Sequence, residues 1–198
     1  PTSGLLWGIS NEELEPNGTG DKKLQAYNFR LCLTDSVENQ MPITRPDGYD
    51  STRFELLLRY IEKKQAHELN WAHMHIQPMP GRKTDINNSG PFSTDYIGAN
   101  YDYADASYDE REVIFADHRL YTESLLYFLG HDPRVPEHLR KEMLSWGYPK
   151  DEFQDTGHFT PQMYVREARR MVSDYVMTEK NGKLVPEKVG LKAVTTDN

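Results

Sequence analysis

The chain predicts an α+β fold leaning to α, about four helices packed with a small sheet. Three observations carry this. Residues 23–34, KLQAYNFRLCLT, alternate with the period of a strand. Residues 107–129 open on Ser107-Tyr-Asp-Glu110, a capping box, and continue with helical spacing. Pro136 and Gly147 then bracket a further helix.

In order, residues 1–22 are rich in Gly, Pro, Asn and acidic groups and read as an irregular lead-in. In the strand at 23–34, Leu24, Ala26, Asn28, Arg30 and Cys32 share one face. Gln25, Tyr27, Phe29, Leu31 and Leu33 share the other. Pro42, Pro46 and Gly48 make 35–50 a loop. Phe54, Leu57, Leu58 and Ile61 are spaced for a helix, with Thr52 and Glu55 as its capping box. Residues 71–79 read as a second strand, ended by Pro78 and Pro80. Residues 81–106 show little periodicity, and an ordered loop of that length is expected to be functional.

After the 107–129 helix, closed by Gly130, and the helix from Pro136 to Gly147, residues 149–162 are irregular. The segment 164–176, YVREARRMVSDYV, then predicts an amphipathic helix. Arg166 and Arg170 stack at i, i+4 with Arg169 close by, and Val165, Ala168, Val172, Tyr175 and Val176 cover the opposite side. Residues 179–198 lose periodicity and form a poorly defined tail, leaving 23–178 as the domain proper.

Composition narrows the function. The chain has 198 residues, a formal charge of -8 and one cysteine, Cys32. The acidic balance argues against nucleic acid and against an anionic membrane surface as partners. No apolar run is long enough to span a membrane. One cysteine excludes an internal disulfide and a four-Cys zinc site, and Cys32 reads as a small buried hydrophobe. The start, PTSGLLWGIS, has no signal-peptide character and no Met, as in a processed or excised piece; the compartment is unknown from it.

Several motifs could carry chemistry. Lys83-Thr-Asp-Ile-Asn-Asn88 gathers a cation, a carboxylate, a hydroxyl and two amides in one expected loop. His73-x-His75 puts two imidazoles on one strand face, but no third ligand stands at a telling spacing, so no metal is expected. His118 reads as a structural histidine within its helix, while His158 is an acid/base candidate in a loop. Asp151, Glu152 and Asp155 stand just upstream of Arg166, Arg169 and Arg170 and are expected to neutralise them. No G-x-G-x-x-G, P-loop, G-x-S-x-G or H-E-x-x-H is present, so the chain cannot hold a dinucleotide in the usual Rossmann way.

Four stretches taken in order, Gln25–Thr34, Lys83–Asn88, Ser93-Thr-Asp-Tyr-Ile-Gly98 and Tyr164-Val-Arg-Glu-Ala-Arg-Arg170, resemble the interior of a family of FAD-dependent oxidoreductases. These are the heterodisulfide reductase A-like flavoproteins, some bacterial members of which are labelled xanthan lyases. The resemblance covers about residues 20–178. It implies FAD in the complete protein, held by segments this chain lacks, and makes the chain a substrate-side portion that is inactive and FAD-free alone.

In a flavoenzyme the cofactor performs the redox chemistry, while the protein supplies orientation and charge. Arg30, Arg166 and Arg170 are the candidates to face flavin or an acidic substrate. Asp85, Asn87 and Asn88 are candidates to bind a small-molecule, sugar-like substrate, with His158 and Tyr164 as candidate proton donors. Two other readings stand beside this one. A polysaccharide lyase of the xanthan type would also use Tyr, His, Arg and Asn, and a carbohydrate-binding or interaction module would use the abundant aromatics.

Overall fold

The structure, a computed structural model, describes residues 4–13, 15–16, 19–70, 74–169 and 171–182. It is α+β, as the pattern predicts. Among the described residues six strands are formed: β1 (Asn28–Phe29), β2 (Gln40–Met41), β3 (Met74–Met79), β4 (Lys83–Asn88), β5 (Tyr148–Pro149) and β6 (Met163–Tyr164). The helices are α1 (Glu55–Lys64), α2 (Tyr108–His131), α3 (Glu137–Leu144) and a single turn, α4 (Glu179–Gly182).

The extended segment 27–34 is the hub. Its β1 portion pairs antiparallel with β6, Asn28 opposite Tyr164 and Phe29 opposite Met163. Its other edge meets β4. Leu31 and Ile86 exchange N–H···O bonds of 3.1 and 2.8 Å, and Thr84 N donates to the Leu33 carbonyl at 2.9 Å. Since β3 pairs antiparallel with β4, the strands run β6, β1, β4, β3. A separate antiparallel pair joins β2 to β5.

The alternation predicted for 24–33 decides which face is buried. Tyr27, Phe29, Leu31 and Leu33 are 0–2% exposed. Helix α2 covers them: the Phe29 ring lies edge-on to Phe115 at 5.2 Å and to Phe159 at 4.9 Å. Burying a side chain like Phe29 contributes about 2–3 kcal/mol. The capping box at the start of α2 is present, with Ser107 Oγ accepting from Glu110 N and the Glu110 carboxylate accepting from Ser107 N. The helix runs past Gly130 to His131. Gly130 serves packing rather than termination, because a Cβ there would come within 3.3 Å of Leu144 on α3.

Other expectations are corrected. Residues 83–88 are not loop but strand: Thr84 and Ile86 point inward, Lys83, Asp85 and Asn87 outward. Short polar residues hide a period of two, and Gly81 and Arg82, both at positive φ, turn the chain back onto β3. The strand read over 71–79 stands over Met74–Met79, with 71–73 outside the described residues; it runs through Pro78, tolerated because β3 lies at the edge of the sheet. Before α1, Asp50 rather than Thr52 is the cap; its carboxylate accepts from Thr52 N, and a 3-10 turn over Ser51–Phe54 leads into the helix.

The arginine helix is corrected as well. Residues 163–164 form β6, and the described residues from 165 to 178 are irregular. Met171, Val172, Tyr175 and Met177 are 65–98% exposed. A helix of this length is stabilised mainly by burying its stripe, and here the stripe is not buried. Cys32 is half-buried and its thiol is pushed up by burial, so it is not poised as a thiolate. No described helix is long and apolar enough to cross a membrane.

Candidate functional site

On the face of the hub segment opposite α2, Asn28 and Arg30 stand between Ala26 and Cys32, and β4 and β6 bring further polar side chains to them. From β1 and its extension come Asn28 and Arg30, from β4 Asp85 and Asn87, and from β6 Tyr164; Arg166, just after β6, reaches Asn88 at the end of β4. Six of the residues singled out from sequence therefore meet here, although they are spread from position 30 to position 166.

Two ion pairs hold this face together. Arg30 forks onto Asp85, with Nε donating to Oδ1 at 2.9 Å and Nη2 donating to Oδ2. Arg166 Nη1 donates to Asp95 Oδ2 at 3.3 Å, and Nη2 donates to Asn88 Oδ1 at 3.3 Å. The Tyr164 ring lies within reach of both guanidinium groups, 6.0 Å from that of Arg30 and 5.4 Å from that of Arg166. Arg30 is held yet more firmly protonated by its hydrogen bond to Asp85. Burial raises the Asp95 carboxyl above its usual range, and the Arg166 charge opposes that shift.

The amides are ordered by the backbone. Asn87 Oδ1 accepts from Asn88 N at 2.9 Å and from Asn28 Nδ2 at 3.0 Å. This fixes the Asn28 amide with its nitrogen toward Asn87. Its Oδ1 is buried and has no hydrogen-bond partner among the described residues, and Asn28 is 1% exposed.

Asp95 is a member of this face that sequence reasoning does not single out. Its only signal is its place in the Ser93–Gly98 stretch, where Asp reads as a turn residue. The expected pairing of Asp151, Glu152 and Asp155 with the arginines is also corrected. Asp151 and Glu152 hold Lys83 instead, with Lys83 Nζ donating to Asp151 Oδ2 at 2.8 Å and to the Glu152 carboxylate. Arg169 lies 3.5 Å from the exposed Asp105. Arg170 and His73 lie outside the described residues.

His158 sits in the turn after β5, where Nδ1–H is directed to the carbonyls of Pro149 and Glu152 at 3.2 and 3.0 Å. Among the described residues no hydrogen bond or ion pair joins it to Tyr164 or either arginine of the site. His118 is a core histidine: Nδ1–H donates to the Ile114 carbonyl at 2.8 Å, and burial lowers its pKa. Beside the β3–β4 turn, a cleft of about 410 Å³ opens between Met79 and Trp146. Of its charged groups, Arg82 is engaged with Asp35 at 2.9 Å and Glu142 with Leu69 N at 2.9 Å.

A family model described as FAD dependent oxidoreductase matches residues 8–197. The chain belongs to the FAD dependent oxidoreductase family. No curated protein and no solved structure matches it.

The family implies FAD, whose pyrophosphate is normally held by free backbone N–H groups at a helix N-terminus. The described residues do not fit that half of the cofactor. The 3-10 turn leading into α1 is capped by Asp50. The first turn of α2 carries Asp109 and Glu110 and is closed by Ser107, and α3 opens on Pro136 and Glu137. An acidic group at each of these ends repels a pyrophosphate.

Proposed function

We propose that this chain supplies the substrate-facing wall of an FAD-dependent oxidoreductase active site, with the phosphates of the flavin nucleotide held by segments outside the described residues. The observation that carries this reading is the pairing of Arg30 with Asp85, and of Arg166 with Asp95 and Asn88, around the Tyr164 ring. Within the family we favour the heterodisulfide reductase A-like branch, on the four stretches that resemble it.

In this reading the two ion pairs fix the wall rather than perform chemistry. Side chains locked by packing and by hydrogen bonds orient a substrate without reorganising when it arrives. Tyr164, 45% exposed, offers an aromatic surface with a hydroxyl. Bound flavin would supply the redox chemistry; the wall binds and orients.

Adding FAD to the purified 198-residue chain tests the division of labour. The expected result is that flavin absorbance separates from the protein on gel filtration. Stoichiometric co-elution would overturn it, since it would put the complete flavin site within this chain.

A further inference from the structure

We infer that the cleft beside the β3–β4 turn is a second binding site and takes a small amine, a primary ammonium group on an apolar body. The cleft lies at the β3 edge of the sheet, opposite the β6 edge that carries Tyr164, and the inference stands independently of the substrate-facing reading above. Its volume of about 410 Å³ is enough for a small molecule, since such pockets span about 300–1,000 Å³. It is lined by Ile76, Pro78 and Met79 of β3 and by Trp146, just after α3. Pro78 and Met79 are exposed and Trp146 is half-buried, so this apolar lining is open to a ligand.

The charge left over in the cleft is negative. Arg82 is matched by Asp35, and the Lys83 ammonium by Asp151 and Glu152. Glu68 and Glu142 remain, and among the described residues no ion pair holds either of them. Glu68 is exposed and Glu142 half-buried, so both can be reached. Glu142 Oε2 accepts from Leu69 N at 2.9 Å, which fixes this carboxylate at the cleft. His138, one turn back on α3, also faces Glu142, but its Nε2 is directed to the Ala66 carbonyl at 2.9 Å. Burial pushes the Glu142 carboxyl up, the Leu69 N–H opposes that shift, and the Glu68 charge adds to it. An ammonium group relieves this cost, with three N–H donors to share between the two carboxylates. The indole and the β3 side chains receive the apolar body, and the Trp146 ring also attracts the charge. An anion meets two unmatched carboxylates and is repelled.

The test is a titration of the isotope-labelled 198-residue chain at neutral pH, read at the indole N–H signal of Trp146 and assigned with Trp146→Phe. The probes share one shape and differ in charge: cyclohexylmethylamine, cyclohexylmethanol and cyclohexanecarboxylate, each taken up to about 10 mM. The expected result is a saturable shift, with the amine binding about 3- to 10-fold tighter than the alcohol and the carboxylate weakest. Glu142→Gln keeps an acceptor for Leu69 N. It should bring the amine close to the alcohol and leave the alcohol unchanged. Should that variant fail to fold, Glu68→Gln, at an exposed position, should weaken the amine alone, by about 2-fold.

Three probes that bind alike, a carboxylate that binds tighter than the amine, or a Trp146 signal that none of them moves would overturn the inference. So would amine binding that is unchanged in both glutamine variants. None of these readouts involves flavin, so they bear on the cleft alone.

Discussion

Arg166 and Asp95 meet across 71 residues of sequence, Nη1 to Oδ2 at 3.3 Å, with both side chains 13–14% exposed. Removing the cation alone leaves a carboxylate in a poorly solvated place, so Arg166→Leu should cost about 3 kcal/mol, and adding Asp95→Leu should recover much of it. The pH dependence has a definite sign. Burial raises the folded-state pKa of Asp95 above its ordinary 3.8, so the folded chain holds that proton more tightly than the unfolded one. Stability from this group is therefore fullest below 3.8 and lost as pH rises through the raised value. Without Arg166, which lowers that pKa, the loss extends to higher pH. Urea midpoints should show a gap between variant and wild type that widens from pH 3.8 upward; a constant gap would contradict the pairing.

Asp132 titrates in the opposite sense. Its carboxylate accepts from Arg134 N and Nε at 2.9 Å and from Nη2 at 2.8 Å, and the Arg134 hydrogen bonds hold its pKa below 3.8. Its contribution is present above 3.8 and lost as pH falls through the depressed value. Asp132→Asn should cost about 1–2 kcal/mol at neutral pH. In acid the cost should shrink, as read by thermal melts across pH.

Gly147 and Met41 constrain the β2–β5 side of the fold. A Cβ on Gly147 would overlap the Met41 carbonyl oxygen and the Gln40 side chain. Gly147 also exchanges backbone hydrogen bonds with Thr34, at 2.8 and 3.0 Å. Gly147→Ala should cost about 2 kcal/mol or more, because neither the carbonyl nor that ladder can move aside. Chemical denaturation measures it directly, and a change under about 0.5 kcal/mol would contradict the close approach.

The segment 165–178 keeps a helical sequence pattern, while its described residues are not helical. In trifluoroethanol, which rewards local propensity, its Cα chemical shifts should move toward helix, while those of β1 and β6 should not gain helical character first. If it stayed extended there, its pattern would have no helical preference behind it.

Where burial dictates the pattern, the sequence is readable. The odd positions of 27–33 and the helix from Ser107 onward stand out because one face has to be apolar. The strand at 83–88 is hidden because Lys, Thr, Asp and Asn resemble turn residues, and only Ile86 marks an inward side clearly. The arginine segment misleads because periodicity reports a capacity to be amphipathic, not the presence of a surface to bury the stripe. The polar wall is half legible: Asn28 and Arg30 stand out as oddities on a strand, and Asp85, Asn87 and Asn88 as a polar run. Their meeting depends on β1–β4 pairing, and the partner of Arg166 comes from position 95, which no local spacing links to it. Conversely, the acidic run at 151–155 lies nearer in sequence to the arginines, but the fold hands two of its carboxylates to Lys83.

We propose that the Arg30–Asp85–Tyr164–Arg166 face looks toward the flavin. Photolabelling the natural full-length polypeptide with 8-azido-FAD, followed by mass spectrometry of the labelled peptides, tests it most directly. Adducts within 83–95 or 162–169 are the predicted result. Labels confined to peptides from α1 or α3, with none on those two segments, would contradict it.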